Sequence, residues 1–320
     1  MLYKTHQKYG TLSGLIGIPI AVTTGLLPVV TLGMRFSDAI LTITLVTIAM
    51  ISASFGAEFP DCDSYGGRMK NGEMKKGSIP SQKHPFISKM FRAFGVKHRG
   101  KFSHDYASLA LFFGICLFIS TWFTKLLVHK VANGSSLFAT ISQLLIIYIA
   151  YLVSADIVNK YKFKIRKGKL GLLEGLAFTG ILFVSLVVLI MMGGFINPLL
   201  IASTTVGMKS SILLTAIVKV FVIFTWIGAY SHLFADMMTN EGVNIFGKRL
   251  APAKLVLKIK KLPLIGKWLL QTDLKTGSAY EDMCNLIVTI LCVPAIVLAF
   301  IAITGGDVIQ FLHVIGILNN

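Results

Sequence analysis

Apolar runs long enough to cross a lipid bilayer recur along this 320-residue chain, and they constrain its fold more than any other feature. At 1.5 Å per residue, a helix needs about 20 apolar residues to cross a hydrocarbon core of roughly 30 Å. Seven stretches meet or approach that length: 11–33, 38–57, 106–124, 136–158, 171–195, 211–235 and 283–304. With 54% hydrophobic residues, 14% charged residues and a mean hydropathy of +0.74, the chain is too apolar for a soluble domain of this size. The expectation is an all-α, polytopic membrane helix bundle of about seven transmembrane helices, forming a single integral membrane domain over 1–320. Its polar loops would be 58–105, 159–170 and 236–282. The first span is longer than a signal-peptide core and runs through Leu32-Gly33-Met34-Arg35 into the next, so it reads as a retained anchor.

Charge placement orients such a bundle. When the seven spans alternate sides, all but five of the 31 lysines and arginines fall on the side of the N-terminus; the exceptions are Arg35, Lys125, Lys130, Lys209 and Lys219. The positive-inside rule then puts the N-terminus and all three loops in the cytoplasm and the C-terminus outside, as in an inner (plasma) membrane protein. The same rule accounts for the net charge of +17 through topology and attraction to anionic lipid head groups, with no call for nucleic acid. The four cysteines show no C-x-x-C spacing, and Cys116 and Cys292 fall inside spans, which argues against a disulfide framework. In the first loop, Gln82–Phe94 has the pattern of an amphipathic helix lying in the interface.

Against this background the metal-binding side chains stand out, because they sit next to different spans yet on one predicted face. His232-Leu-Phe-Ala-Asp236 puts an imidazole and a carboxylate on the same side of a helix, as a metal pair requires. Phe59-Pro-Asp61-Cys-Asp63 presents two carboxylates that an extended turn would aim into one polar site. In His98-Arg-Gly-Lys-Phe-Ser-His104-Asp105, two imidazoles flank a glycine turn, Arg99 offers a bidentate fork for phosphate, and Ser103 is placed to cap the next helix. His6 adds an imidazole near the chain start. Glu281, before the last span, is a candidate ligand, general base or helix cap. His84, His129 and His313 lie outside these clusters. Gly10-x-x-x-Gly14 and Gly171-x-x-x-Gly175 read as close helix packing.

These pieces, in this order, resemble the YdjM-like family of predicted membrane-bound metal-dependent hydrolases. The matching segments are Thr5-His6, Phe59-Pro-Asp61-Cys-Asp63, His98-Arg-Gly-Lys-Phe-Ser-His104, Ser231-His232-Leu-Phe-Ala-Asp236-Met-Met-Thr and Thr276-Gly-Ser-Ala-Tyr-Glu281. Ser64 stands where the family pattern has a histidine, and Asp105 where it has a serine. A fainter likeness, an early histidine, an aspartate and a His-x-x-x-Asp helix, is to zinc-dependent phospholipase C. The resemblance implies one or two divalent ions, zinc first and manganese or magnesium next, held by His6, Asp61, Asp63, His98, His104, His232 and Asp236.

The expected activity is hydrolysis of a phosphoester on a lipid or lipid-linked head group at the inner leaflet. Arg99 and Lys101 would clamp the phosphate, and Glu281 would orient groups or take a proton. Two alternatives use the same residues: a transporter with an ion in transit, and a metal-stapled scaffold without turnover. Transport calls for polar positions through several spans or two similar halves, whereas here only Lys219 lies well inside a span, with Asp156 and Glu174 at span ends.

Overall fold

In the computed structural model, residues 3–29, 36–64, 67–68, 74–75, 77–96, 102–146, 148, 204–237, 243–245, 248–250 and 279–305 are described. Helices dominate them: α1 (Tyr3–Thr23), α2 (Phe36–Glu58), α3 (Ile79–Lys83), α4 (Pro85–Ala93), α5 (Tyr106–Ala132), α6 (Ser136–Ile146), α7 (Thr204–Met237) and α8 (Ala279–Ile303). A 3-10 turn over Pro60–Asp63 follows α2. The only strands among the described residues form two small antiparallel hairpins, β1 (Gly67–Arg68) with β2 (Met74–Lys75) and β3 (Val243–Ile245) with β4 (Lys248–Leu250).

Among the described residues, four helices are long and apolar enough to cross a membrane, over Leu41–Glu58, Tyr106–Ala132, Ser210–Met237 and Glu281–Ile303. Their surfaces are inverted relative to those of a soluble bundle. Along α8 the small Ala295, Ala299 and Ala302 are buried, whereas Leu286, Ile290, Val293, Ile296 and Phe300 are open. Only an apolar surrounding accepts so many open aliphatic groups.

Four of the seven expected spans correspond to these helices. The first is displaced: α1 starts at Tyr3 and closes at Thr23, after which Gly25 takes a left-handed φ of 70°, so residues 24–29 are not part of it, and 30–33 lie outside the described residues. Its early start follows from the polar Thr5, His6 and Gln7 finding buried partners instead of water. The expected span at 171–195 and residues 149–158 of the fourth lie outside the described residues, as do the 159–170 loop and Gly171–Gly175. The first loop, expected to hold one or two short amphipathic helices such as Gln82–Phe94, holds two, with a break at His84 inside that range because the residue before Pro85 is pushed out of helical conformation.

The chain divides into two compact units. The first comprises Met1–Gly25, Ala49–Ile115 and Phe221–Asn320, and the second Leu26–Ile48 and Cys116–Val220. In the second, Leu127, Ile146 and Leu214 form an apolar core with Phe138, Ile141, Leu145, Leu213 and Val218 packed on it. The first holds every described candidate site residue.

Packing in the first unit relies on small side chains. Ala49, Ala53 and Ala57, four residues apart on α2, are fully buried. A Cβ at Gly10 of α1 would come within 2.6 Å of Ala57, one at Gly14 within 2.9 Å of Ala53, and one at Gly228 of α7 would overlap the Ala53 carbonyl. A Cβ at Gly56 would likewise overlap the Thr225 carbonyl. Backbones therefore meet directly where α1, α2 and α7 cross, the close approach that small residues allow in membrane bundles. On its other side α1 runs along α8, with Thr5 bonded to Glu281, Asn285 donating to Thr5 Oγ1 at 3.1 Å and Lys8 donating to Thr289 Oγ1 at 3.0 Å. The partners on α8 repeat every four residues, the spacing of one helix face.

Candidate metal centre

The α2–α7 crossing fixes the most informative side chain. His232 is fully buried, and its Nδ1 donates to the carbonyl of Ala57 at 2.7 Å. That bond sets the tautomer and turns the Nε2 lone pair the other way, the arrangement usual for a metal-ligating histidine. Nε2 lies 3.4 Å from Asp236 Oδ2, one turn along α7, and 3.7 Å from Asp61 Oδ1 in the 3-10 turn.

His104, just ahead of α5, comes in from another side. Its Nε2 lies 3.6 Å from Asp236 Oδ2 and 3.8 Å from Asp61 Oδ1. From α1, His6 stacks on the His232 ring with centroids 3.8 Å apart, and its Nε2 lies 3.4 Å from Asp236 Oδ1. Asp236 thus shows one carboxylate oxygen to His6 and the other to His104 and His232. Among the described residues, two sets of donors are close enough to hold an ion, His6 with His232 and Asp236, and Asp61 with His104 and His232.

These separations carry chemical meaning. A charge-assisted N–H···O⁻ bond closes to about 2.7–2.9 Å, and all five distances are longer. Two donors each about 2.0–2.1 Å from a tetrahedral ion stand roughly 3.3 Å apart, close to the spacing seen. Burial sharpens the point, since His6, His104, His232 and Asp236 are each at most 5% exposed. Charges so deep are costly unless opposite charge, such as a cation among carboxylates, compensates them. The Asp61 side chain is the most open of the donors, at 21%.

Asp63 lies outside both donor sets. An extended turn would aim Asp61 and Asp63 the same way, but the segment is a 3-10 helix, in which residues two apart diverge. Asp61 faces His104 Nε2, whereas Asp63 sits 3.5 Å from His104 Nδ1. Ser103 donates to Asp63 and lies 3.1 Å from the same Nδ1. Asp63 and Ser103 therefore hold the back of the His104 ring, and Ser103 is not the helix cap. That part falls to Asp105, whose Oδ2 accepts from Ser108 N at 3.3 Å and Ser108 Oγ at 2.9 Å. Asp105 is thus a helix cap. Ser64 ends the 3-10 turn, its N–H on the Asp61 carbonyl and its own carbonyl accepting from Ser78 N at 2.8 Å.

Glu281 is buried and accepts from the Thr5 hydroxyl, which ties it to the residue beside His6. Cys62, between Asp61 and Asp63, is buried, and its Sγ donates to the Glu58 carbonyl at 3.5 Å. Burial, with Glu58, Asp61 and Asp63 adding repulsion, pushes its thiol well above the ordinary value. His98, Arg99 and Lys101 lie outside the described residues.

A neighbouring buried group was not read from the sequence. Glu58, the last residue of α2, is 1% exposed; its Oε2 lies 2.8 Å from His84 Nε2, its Oε1 accepts from Gln7 at 2.7 Å, and Lys83 Nζ is 3.9 Å away. The signal available was a glutamate at the end of an apolar run, which at such depth needs a partner. His84, set aside on sequence grounds, supplies it.

The centre is therefore assembled from α1, the α2–turn junction, the segment before α5 and the end of α7, with Ala57, Asp63 and Ser103 orienting its imidazoles. Comparison of the chain with protein-family models, curated proteins and solved structures finds no match.

Proposed function

We propose that the protein is a membrane-embedded, metal-dependent hydrolase acting on a phosphoester of a lipid or lipid-linked head group. The observation that carries this reading is the spacing of His6, His104, His232, Asp61 and Asp236, donors held apart at ion-sharing distances while Ala57 fixes the His232 tautomer. Mixed nitrogen and oxygen donors suit zinc or manganese better than magnesium. Because Nδ1 of His232 is committed to Ala57, this ring offers one ligand atom to the two donor sets, which favours a single ion over two. A divalent ion held here would polarise a phosphoryl oxygen and activate water near neutral pH.

In this reading the chain's own groups divide the remaining work. Asp61, the most open donor, marks the side from which substrate reaches the centre. Arg99 and Lys101, just before His104 in sequence, clamp the phosphate. Glu281 positions the first turn of α1 through Thr5. The arrangement of helix ends supports a substrate at the membrane surface, since the apolar windows ending at Glu58 and Met237 and those starting at Tyr106 and Glu281 all border the centre. By the positive-inside rule that surface is the cytoplasmic side of the inner membrane.

The depth of His6, His232 and Asp236 also fits a metal-stapled scaffold, because structural sites are closed. Elemental analysis of detergent-purified protein tests the metal, with one equivalent expected in the wild type; metal-free folded protein after reconstitution with zinc or manganese overturns the reading. Phosphoester and phospholipid hydrolysis by the loaded protein then separates enzyme from scaffold.

A further inference from the structure

One helix of the first unit has an outer side that is both aromatic and cationic. Phe86 on α4 and Phe94 at its C-terminal end are each 77% exposed, the most open large apolar side chains among the described residues, and Lys89 and Arg92 are exposed beside them. The opposite side is anchored: Phe91 is buried, its ring 5.1 Å from that of Phe59 and 6.1 Å from that of Phe102.

The depth of α4 is set by the chain itself. Its N-cap, His84, bonds Glu58, the residue at which the α2 apolar window ends. Its core partner Phe59 packs on Phe112 and Phe113 in the early turns of α5, whose apolar window starts at Tyr106. The helix is thus pinned where two membrane-spanning windows terminate, which is the boundary between hydrocarbon and head groups. At that level phenylalanine side chains enter the acyl boundary, and lysine and arginine reach lipid phosphates.

We propose that α4 docks on the anionic head-group layer of the membrane beside the metal centre, with Phe86 and Phe94 inserted and Lys89 and Arg92 on lipid phosphates. The same segment grips the centre, because Ser78 at the start of α3 donates to the Asp61 carbonyl at 2.7 Å and His84 holds Glu58. Lipid docking and the position of Asp61 are therefore mechanically linked. If the hydrolase reading holds, on which this last step rests, a lipid phosphoester arrives laterally from the leaflet along α4.

Spin labels at Phe86→Cys and Phe94→Cys test the docking in full-length protein carrying Cys116→Ala and Cys292→Ala, since Cys62 and Cys284 are buried. Asn133→Cys, on an exposed turn, is the aqueous control. In vesicles containing phosphatidylglycerol, labels at 86 and 94 are expected to collide with oxygen far more than with a water-soluble nickel chelate, and the control the reverse. Adding Lys89→Glu and Arg92→Glu should raise nickel access at both positions several-fold in these vesicles and little in phosphatidylcholine. Nickel access at both positions in the phosphatidylglycerol vesicles, unchanged access there on charge reversal, or protection from both quenchers by a covering protein, overturns the proposal. Because label access needs no bound ion, metal analysis of the same samples judges the hydrolase reading separately.

Discussion

Two buried histidine–carboxylate groups border the end of α2, and they use the same chemistry at different spacings. Glu58 and His84 are in contact at 2.8 Å, with Gln7 closing the other carboxylate oxygen at 2.7 Å. Among His6, His104, His232, Asp61 and Asp236 the nitrogen–oxygen separations are 3.4–3.8 Å, although all but Asp61 are as deeply buried. Side chains free to close would do so, since the short charge-assisted bond is the stronger one. The second group is held open by its surroundings: Ala57 on His232, Ser103 and Asp63 on His104, and the α7 backbone between His232 and Asp236. Contact pairing marks a structural pair, and imposed separation marks room for an ion.

The contrast is broken most severely by removing a ligand. His232→Ala and Asp236→Ala should each abolish stoichiometric metal in elemental analysis while leaving a folded, monodisperse protein; retention of metal in both would erase the distinction between the groups. His84→Ala should do the opposite. It leaves the Glu58 carboxylate buried without its imidazole, costing about 3 kcal/mol, visible as a lower thermal midpoint in detergent, with metal content unchanged.

Finer variants sharpen the boundary. Asp63→Asn keeps the shape behind His104 but weakens its grip on the ring, so metal affinity should fall roughly 10–100-fold, as for other outer partners of ligating histidines, and a competition titration with a chelator would measure it. Loss as complete as in His232→Ala would instead make Asp63 a ligand. The smallest effect is expected at Asp105, which belongs with the structural kind. Asp105→Ala removes the α5 cap and should cost about 1 kcal/mol in the thermal midpoint, with metal affinity unaltered.

Much of the centre was legible in the sequence for specific reasons. The i, i+4 pairing of His232 with Asp236 follows from helix geometry alone, and span alternation was enough to predict that His6, Asp61 and His104 would lie on one face. Other roles depended on conformation that sequence leaves open. Whether Asp63 points with Asp61 or behind His104 turns on a 3-10 rather than an extended turn. His84 looked incidental because its partner is 26 residues away. The two-helix form of the 79–93 segment was foreshadowed by Pro85, but its docking on Phe59 and Glu58 was not.

The sequence by itself determined that the protein is helical and membrane-embedded, because long apolar runs have no other economical way to satisfy their backbone in lipid. It also determined which side chains were available as ligands and that they would gather at one end. Only the tertiary structure decided how they are shared out, because that rests on backbone contacts between distant segments. The Ala57 carbonyl can fix His232 only where Gly56 and Gly228 let α2 and α7 touch. Glu58 becomes a structural anchor, and not a ligand, only because α3 and α4 fold His84 back onto it.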